Sequence, residues 1–553
     1  MTNTPDLIVV DAAVFTADAA GTTAEAFAVT DGVFTRVGSS AEIRELAGTG
    51  TEVIDAGGKM IMPGICDVHI HLGLGGAAVA WDLPIPPHFG PEEIFEVVAQ
   101  RATELAPGEW ITGGIVGSVT LQSITAEMLA RLDEAAGGHP VLLKDDTQHN
   151  RWVNSAALAA MGVTQDSLDP EGGTYVRDAQ GRLTGVLWEQ ASRVAEVAFA
   201  ASVVDPAARN RITYSTAARI CNQHGITTVC EAATMEPALR ALSALDAAGE
   251  LTLRVMASTV ARPLLAEGGI TGKELLEVSR QFGSELVRVG FVKVFLDGVP
   301  MTRTAGMLDP YLPPHGCAAD PQDCGECLYE LDELVAELEE AVAAGRGVKI
   351  HAAGDGSTRM ALDAIAIMRE RHGNRPIFHV AHSLFVDPDD VRRFAQLDVV
   401  ADASPYLWSP GIIQDHLNTC VSTAVIENKT WPLKDLLEAG AMVAAGSDWP
   451  CVMPFPHTWT GIETLITREA PGGSEEKLNP SQALTLEESL VAFTRSSAEA
   501  MGLGDQVGSI EVGKSADFLL LSQNLFDIDP RKIHETEVET TYLRGVPVYD
   551  LNS

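Results

Sequence analysis

Six side chains of metal-ligand type recur along this chain, each at or just past the end of a short apolar run. They are His69, His71, Lys293, His351, His382 and Asp448. Histidine nitrogens and carboxylate oxygens are common ligands of zinc, and less commonly of manganese or iron, in proteins. Residues i and i+2 of a strand point to the same side, so His69 and His71 can bind one metal ion together. An isolated pair of this kind is more often two surface or core histidines, but the later histidines favour a divalent metal site.

Lys293 and Asp448 add chemistry that depends on their protonation. Lysine is ordinarily protonated at neutral pH, but burial beside cations favours the neutral amine, which can add carbon dioxide and become a bridging carbamate. The alternative for Lys293 is a core-edge lysine paired with Asp297. Asp448 can take a proton from metal-activated water and pass it to a leaving nitrogen, as general base and then general acid. The alternative for Asp448 is a helix N-cap.

Eight strand–helix units position these side chains. After the strand that ends near His69, strand-like runs lie at 225–231, 251–257, 289–296, 347–351, 376–382, 397–402 and 441–446. Amphipathic helical patterns separate them, most clearly at 328–345 and 357–373. Continuous apolar strands that alternate with helices predict an α/β fold, a (β/α)8 TIM barrel. Catalytic residues of such barrels lie at the carboxyl ends of the strands, where the six side chains are found.

Two further units accompany the barrel, which we predict over 63–504. Residues 75–205 precede a helical pattern at about 207–224 and contain the hairpin-like segment DPEGGTYVRDAQGRLTGVLWE. A structureless loop of that length is improbable in a compact domain, so we expect an inserted subdomain over the active site. Short β segments in 1–62 and 505–553 predict one small β-sandwich built from both termini.

Charge limits the partners of this protein. The chain has 38 basic and 76 acidic residues, a net charge of −38. Such a surface repels phosphate backbones and anionic lipids, so we expect a small-molecule substrate and no nucleic-acid or membrane partner. A homodimer is the default assembly. The sequence shows no signal peptide and no apolar run of membrane-spanning length, which favours a cytoplasmic protein.

Three cysteines, Cys317, Cys324 and Cys327, cluster in the segment HGCAADPQDCGECLYE. With His315 they could form a metal site, two of them could form a disulfide, or all could be ordinary loop thiols. The spacing leaves these alternatives open.

Polar and aromatic residues near the strand ends and in the insertion are candidates for substrate contacts. His149 could stabilise an oxyanion, with a purely structural histidine as the alternative. The other candidates are Trp81, Trp152, Trp188, Asp297, Tyr406, Trp408 and Trp449. Core packing is the alternative for each tryptophan. An aromatic-rich mouth favours a substrate with an apolar or aryl group.

Over nearly its whole length the chain resembles the amidohydrolase superfamily, and more closely the amidohydrolase-3 or YtcJ-like family. The resemblance lies in the motifs PGICDVHIHLG, FVKVFLDG, KIHAAGD, HVAHS, GSDWP, GSIEVGKSADFLLL, and HNRWVNSAAL with TGVLWE. It implies a hydrolase of amide or other C–N bonds with two metals, most simply zinc. Two positions depart from the family pattern without removing a ligand: Ala381 replaces a common acidic residue, and Tyr406 lies where a histidine is frequent.

The resemblance also implies a role for each ligand. His69 and His71 would bind the more buried metal, and Lys293 would bridge the two metals. His351 and His382 would bind the second metal. Asp448 would serve as ligand and proton shuttle.

Three functions stay open from the sequence. The first is hydrolysis of an N-acyl or N-formyl amide, and the second is hydrolysis of a cyclic amide, ester or carbamate at the same metals. The third is a non-catalytic binding or regulatory role. The complete ligand set with its aspartate disfavours the third.

Overall fold

The computed structural model describes residues 4–262, 270–313 and 319–553. Its central element is a sheet of eight strands whose spatial order follows the chain. These are β1 (Ile65–Ile70), β2 (Ile226–Thr234), β3 (Arg254–Val260), β4 (Val287–Phe295), β5 (Gly347–His351), β6 (Phe378–His382), β7 (Val399–Ala403) and β8 (Met442–Ala445). Each pairs in parallel with its neighbours. The predicted (β/α)8 barrel is confirmed, and each predicted run overlaps one strand.

Helices cover the outside of this sheet, which explains why its strands are apolar on both faces. Every residue of β1, β3, β6 and β7 is buried. The covering helices are Pro206–Gln223, Glu236–Ala247, Gly272–Ser279, Leu331–Ala343, Asp355–His372, Pro388–Gln396, Leu433–Glu438, Leu486–Ala492 and Arg495–Ala500. Further helices at the barrel rim are Ile412–Cys420, Thr423–Lys429 and Thr458–Thr467.

A second sheet lies in the long connection between β1 and β2. Its six strands, in spatial order, are Gly173–Arg177, Leu183–Glu189, Arg151–Val153, Val141–Asp145, Ile111–Val116 and Leu83–Pro84. Its helices are Leu72–Ala80, Pro91–Ala102, Ser118–Gln122, Ala126–Ala136, Ser155–Met161 and Gln190–Ser202. Phe95, Leu132 and Trp152 belong to an apolar core within this unit. The insertion is therefore a folded subdomain and not a loop.

Segments from both ends of the chain form two more sheets. One has the strand order Val33–Gly38, Ala26–Thr30, Leu7–Val10, Glu52–Asp55. The other has the order Val546–Asp550, Val538–Leu543, Phe518–Leu521, Met60–Pro63, Ala13–Phe15, Thr23–Ala24. The ring of Phe27, from the first sheet, lies 5.0 Å from the ring of Phe518, from the second. The two sheets therefore share one apolar core, and the strand before β1 pairs with a strand from the far end of the chain.

None of the helices in the described ranges combines the length and the apolar character needed to cross a membrane.

Candidate active site

His69, His71 and Asp448 form the tightest group of possible metal ligands among the described residues. Their ligand atoms all lie within 4.8 Å of one another. Asp448 Oδ1 is 3.4 Å from His71 Nε2 and 3.6 Å from His69 Nε2. Asp448 has a φ of 55°, and its backbone N–H donates to the His69 carbonyl at 2.7 Å. The loop after β8 is thereby held against the end of β1.

The other three predicted ligands surround this group. Lys293 Nζ lies 3.2 Å from His69 Nε2, and His382 Nδ1 lies 3.7 Å from Asp448 Oδ2. The His351 ring lies 4.6 Å from that of His382, while its Nε2 is 3.0 Å from the Gly298 carbonyl. All six residues therefore meet at the carboxyl end of the barrel. His351 Nε2 is directed to the loop after β4 and not to the three-residue group.

Burial sets the charge of these side chains. It lowers the pKa of His382 to about 4, partly opposed by Asp448, and it lowers that of His69 well below the usual range, with Lys293 contributing. Burial and then Lys349 lower the pKa of Lys293 to about 8. Burial alone would raise the pKa of Asp448, but His382 and the other histidines outweigh it and the pKa falls. The site holds neutral imidazoles and an ionised carboxylate, the forms that bind metal.

Two atoms of the six candidate ligands are buried without a hydrogen-bond partner in the part of the chain that the structure describes. They are His382 Nε2 and Asp448 Oδ1. Buried polar atoms are nearly always paired, so each exception calls for an explanation. A divalent cation is a natural partner for a neutral imidazole nitrogen and a carboxylate oxygen. The residues present therefore fit a bound divalent metal.

Asp402, in β7, positions His69 from behind, a role that the sequence analysis missed. Its Oδ2 lies 3.3 Å from His69 Nδ1, and it also forms an ion pair with Lys349. Lys349 Nζ donates to the Val68 carbonyl at 2.9 Å. A contact at Nδ1 leaves the Nε2 atom of His69 for a metal. The available signal was an acidic residue inside an otherwise apolar strand.

His149 reaches the pocket from the insertion and has a carboxylate partner there. Its Nδ1 lies 2.9 Å from Glu189 Oε2. Burial opposes the charged imidazole, but Glu189 outweighs it and raises the pKa of His149. Glu189 also accepts a hydrogen bond from Thr304, in the loop after β4, at 3.0 Å. Glu189, which sequence reasoning did not single out, therefore joins the insertion to the barrel.

The pocket that these residues line combines polar and apolar side chains. Its polar lining residues are His71, Asp146, Thr147, Gln148, His149, Lys293, His351, His382 and Asp448. Its apolar lining residues are Leu74, Phe295, Val299, Pro300, Met301, Ala353, Leu384, Leu407, Ile413, Trp431, Cys451 and Val452. Trp431, which the sequence analysis did not select, is the tryptophan of this lining.

The tryptophans predicted to contact substrate lie elsewhere. Trp152 belongs to the core of the insertion, and Trp188 packs against that core. Trp81 Nε1 donates to Thr213 Oγ1 at 2.9 Å, on the helix before β2. Trp449 is buried, and its Nε1 donates to the Pro454 carbonyl at 2.9 Å. Trp408 lies behind Trp431, with ring centroids 5.1 Å apart. A tryptophan near the end of a strand can either line the pocket or pack in a core, and its position in the sequence does not show which.

Asp297 and Tyr406 also lie outside the pocket lining given above. Asp297 accepts hydrogen bonds from the backbone of Gly306 and Ala353 and from Ser357, so it organises loops and is not directed to substrate. Its Oδ1 is 3.4 Å from His351 Nε2. Among the ion pairs of the described residues there is none between Asp297 and Lys293, the alternative considered for that lysine. Tyr406 is buried in the barrel core.

The cysteine cluster is only partly described. Cys324 and Cys327 are free thiols, whereas Cys317 and His315 lie outside the described residues. Cys221 and Cys230 are buried free thiols.

Comparison with known proteins finds a matching family model, similar sequences and a similar solved structure. The family model described as the amidohydrolase family matches residues 52–549. The N-substituted formamide deformylase of Arthrobacter pascens is 28% identical, over 100% of this chain and 99% of that protein. YtcJ of Bacillus subtilis is 28% identical, over 96% of this chain and 97% of that protein. A metal-dependent hydrolase of Pyrococcus horikoshii has a similar fold, with a TM-score of 0.75 at 22% identity over 95% of this chain and 99% of that one.

Proposed function

Because the chain belongs to the amidohydrolase family, whose model spans residues 52–549, we propose that it hydrolyses a small N-acyl or N-formyl amide at a divalent metal centre. Membership makes it a hydrolase of carbon–nitrogen bonds other than peptide bonds. The observation that carries the proposal is the pair of unpartnered buried atoms, His382 Nε2 and Asp448 Oδ1, beside the cluster of His69, His71 and Asp448.

The ligand set suits zinc, in one or two ions. His69, His71 and Asp448 would hold the first ion, and His351 and His382 would hold the second. A divalent metal at this position polarises a carbonyl group and lowers the pKa of water. Lys293, with a pKa of about 8, is partly neutral near neutral pH, which supports its reaction with carbon dioxide to give a bridging carbamate.

Two side chains would handle the charge that develops during the reaction. Asp448 is ionised, so it can accept the proton of the attacking water and pass it to the nitrogen that leaves. His149 bonds to Glu189 through Nδ1, which leaves Nε2 to donate toward the carbonyl oxygen of the substrate. Asp448 would act on the nitrogen of the amide, and His149 would act on its oxygen.

The apolar residues of the pocket lining support an apolar or aryl substituent on the substrate. They include Phe295, Met301 and Trp431. The deformylase relative is named for N-substituted formamides, compounds with one small polar end and one variable substituent. We therefore place N-substituted formamides first among the candidate substrates, ahead of cyclic amides, carbamates and esters.

A substrate panel with and without a chelator tests the proposal. N-formyl, N-acetyl, aryl-amide, cyclic-amide and ester compounds are compared with enzyme whose metal content is measured. Asp448→Asn keeps the side-chain volume but removes the base, so we expect kcat to fall by about 10²- to 10⁴-fold. Asp166→Asn, at an exposed position of the insertion, is the matched control. Turnover that survives chelation, or full activity of Asp448→Asn, would contradict the mechanism.

A further inference from the structure

Four polar atoms of pocket-lining residues are buried without a hydrogen-bond partner in the described structure. They are Gln148 Oε1, His382 Nε2, Trp431 Nε1 and Asp448 Oδ1. A metal accounts for the histidine nitrogen and the carboxylate oxygen. Gln148 Oε1 is then the remaining acceptor, and neither the metal nor the proton transfers described above use it.

The orientation of the Gln148 amide follows from its surroundings. Its Nε2 donates to the Asp145 carbonyl at 3.0 Å. A backbone carbonyl only accepts hydrogen bonds, so the nitrogen end of the amide must face Asp145. The unpartnered end is therefore the oxygen, an acceptor that requires a donor.

The local backbone fixes Gln148 in place. The residue has a φ of 64°, in the left-handed region that side chains other than glycine seldom adopt. Its N–H donates to the Asp145 carbonyl at 3.2 Å, and its own carbonyl accepts from Arg151 Nη1 at 2.8 Å. Asp145 is itself held by Asn150 Nδ2 at 2.8 Å. Such conformations persist only where the surroundings enforce them, and they concentrate at functional sites.

Gln148 and His149 together present an acceptor and a donor from neighbouring positions of one rigid segment. A secondary amide offers the complement, because its N–H donates and its carbonyl accepts. Esters and tertiary amides have the carbonyl but no N–H. A buried acceptor left without a donor costs about as much as a lost hydrogen bond, so a substrate without the N–H is selected against.

We propose that Gln148 Oε1 accepts the N–H of the scissile amide and so makes this enzyme selective for secondary amides over tertiary amides and esters. This inference rests on the proposed amide hydrolysis and specifies its substrate class. Gln148 would be a specificity-determining residue that contacts substrate without taking part in proton transfer.

The first experiment needs no variant. N-Benzylformamide, N-benzyl-N-methylformamide and benzyl formate differ at the position of the N–H, and kcat/KM for each is divided by its rate constant for alkaline hydrolysis. We expect the normalised value for N-benzylformamide to exceed both others by about 10- to 100-fold. A tertiary formamide cleaved as well as the secondary one would overturn the proposal.

The second experiment assigns the selectivity to Gln148. Gln148→Met keeps the length of the side chain and removes the acceptor, and Gln180→Met makes the same change at an exposed hairpin position. We expect Gln148→Met to reduce the preference for N-benzylformamide about tenfold or more, measured by turnover or as relative Ki values, and Gln180→Met to leave it unchanged. An equal loss toward all three compounds would show a structural role only and would refute the proposal.

The two levels of failure can be told apart. If no amide shows chelator-sensitive turnover, the proposed function fails and this inference fails with it. If N-benzylformamide is hydrolysed but Gln148→Met keeps the wild-type preference, only the role of Gln148 fails.

Discussion

His69 connects the candidate metal site to a buried charge pair, Asp402 and Lys349. Asp402 contacts His69 Nδ1 at 3.3 Å and pairs with Lys349, and all three side chains are fully buried. Burying a charge is costly unless it is paired and hydrogen-bonded, and Lys349 meets this condition through Asp402 and the Val68 carbonyl. The Asp402 carboxylate both orients His69 and neutralises the buried Lys349. Ligand geometry and barrel stability therefore depend on the same side chain.

Glu189 offers a test of how His149 is positioned. Glu189→Gln keeps an acceptor for His149 Nδ1 but removes the charge that favours the imidazolium form. We expect kcat to fall about 10- to 100-fold with little change in KM, because the interaction is needed mainly as charge develops on the substrate oxygen. Steady-state kinetics on N-benzylformamide measure this split.

Glu127→Gln is the control for that substitution, since Glu127 is an exposed residue of the insertion paired with Arg182. Metal content and Tm are recorded for both variants. A large rise in KM, or a loss of metal equal to the loss of activity, would show that Glu189 only supports the fold.

The helix Pro206–Gln223 and the loop after β8 meet at His224, the residue that ends the helix. Its backbone N–H donates to the Cys221 carbonyl at 3.0 Å, and its ring lies 5.4 Å from that of His457. The His224 ring also stacks on Phe455 at 6.0 Å. The loop that follows Asp448 is thus anchored on a helix outside the barrel.

This contact makes stability depend on pH. Burial, and then the neighbouring His457, lower the pKa of His224 from 6.5 to about 4. The unfolded chain therefore binds a proton at His224 between these values while the folded protein does not. The contribution of His224 to stability is therefore fully present above pH 6.5 and is lost as pH falls toward 4. Urea unfolding gives the free energy of unfolding at pH 7 and at pH 5. We expect this free energy to fall by about 1 to 2 kcal/mol less in His224→Gln than in wild type. His88→Gln, at an exposed histidine, should follow wild type; identical curves for all three proteins would refute the assignment.

The sequence predicts the elements of the barrel because each buried strand is a continuous apolar run that ends in a polar side chain. The same argument finds the six candidate ligands, since their positions depend only on where strands end. It does not find Gln148, Glu189 or Trp431. Their roles arise where the insertion and the rim loops meet the barrel, and that meeting is not encoded in any local periodicity. Trp152 and Trp408 show the converse, since both are buried in apolar cores and an aromatic residue near the mouth can as readily fill a core.

At the scale of the whole molecule, the barrel sheet has a seam between β1 and β8. No strand ladder joins these two strands in the described structure, and they are linked by hydrogen bonds beyond their ends, including His71 N–H to the Trp449 carbonyl at 2.9 Å. A Cβ atom at Gly446 would lie 2.4 Å from the backbone nitrogen of His69, so only glycine permits the two strands to approach so closely. The candidate ligands His69 and His71 lie on one side of the seam and Asp448 lies on the other. A metal bound by all three would clamp the barrel shut.

Metal removal should therefore act locally before it acts globally. A metal that binds only the folded state stabilises it, by about 2.7 kcal/mol at a hundred times its Kd. We expect the chelated protein to have a lower Tm and faster amide hydrogen exchange in β1 and β8. Exchange in β3, which carries none of the six candidate ligands, serves as the internal reference. A uniform increase in exchange, or none, would contradict the clamp.

The pairing of Met60–Pro63 with Phe518–Leu521 has a consequence for biosynthesis. The ribosome makes the first of these strands long before the second, and at about 5–20 residues per second the interval is tens of seconds. During that time the apolar strand Met60–Pro63 has an unpaired edge. Chaperones and aggregating chains recognise such edges, and the next strand is the one that carries His69. His69 and His71 are the first candidate metal ligands to be synthesised. The strand before them completes its pairing only when one of the last strands of the chain has been made.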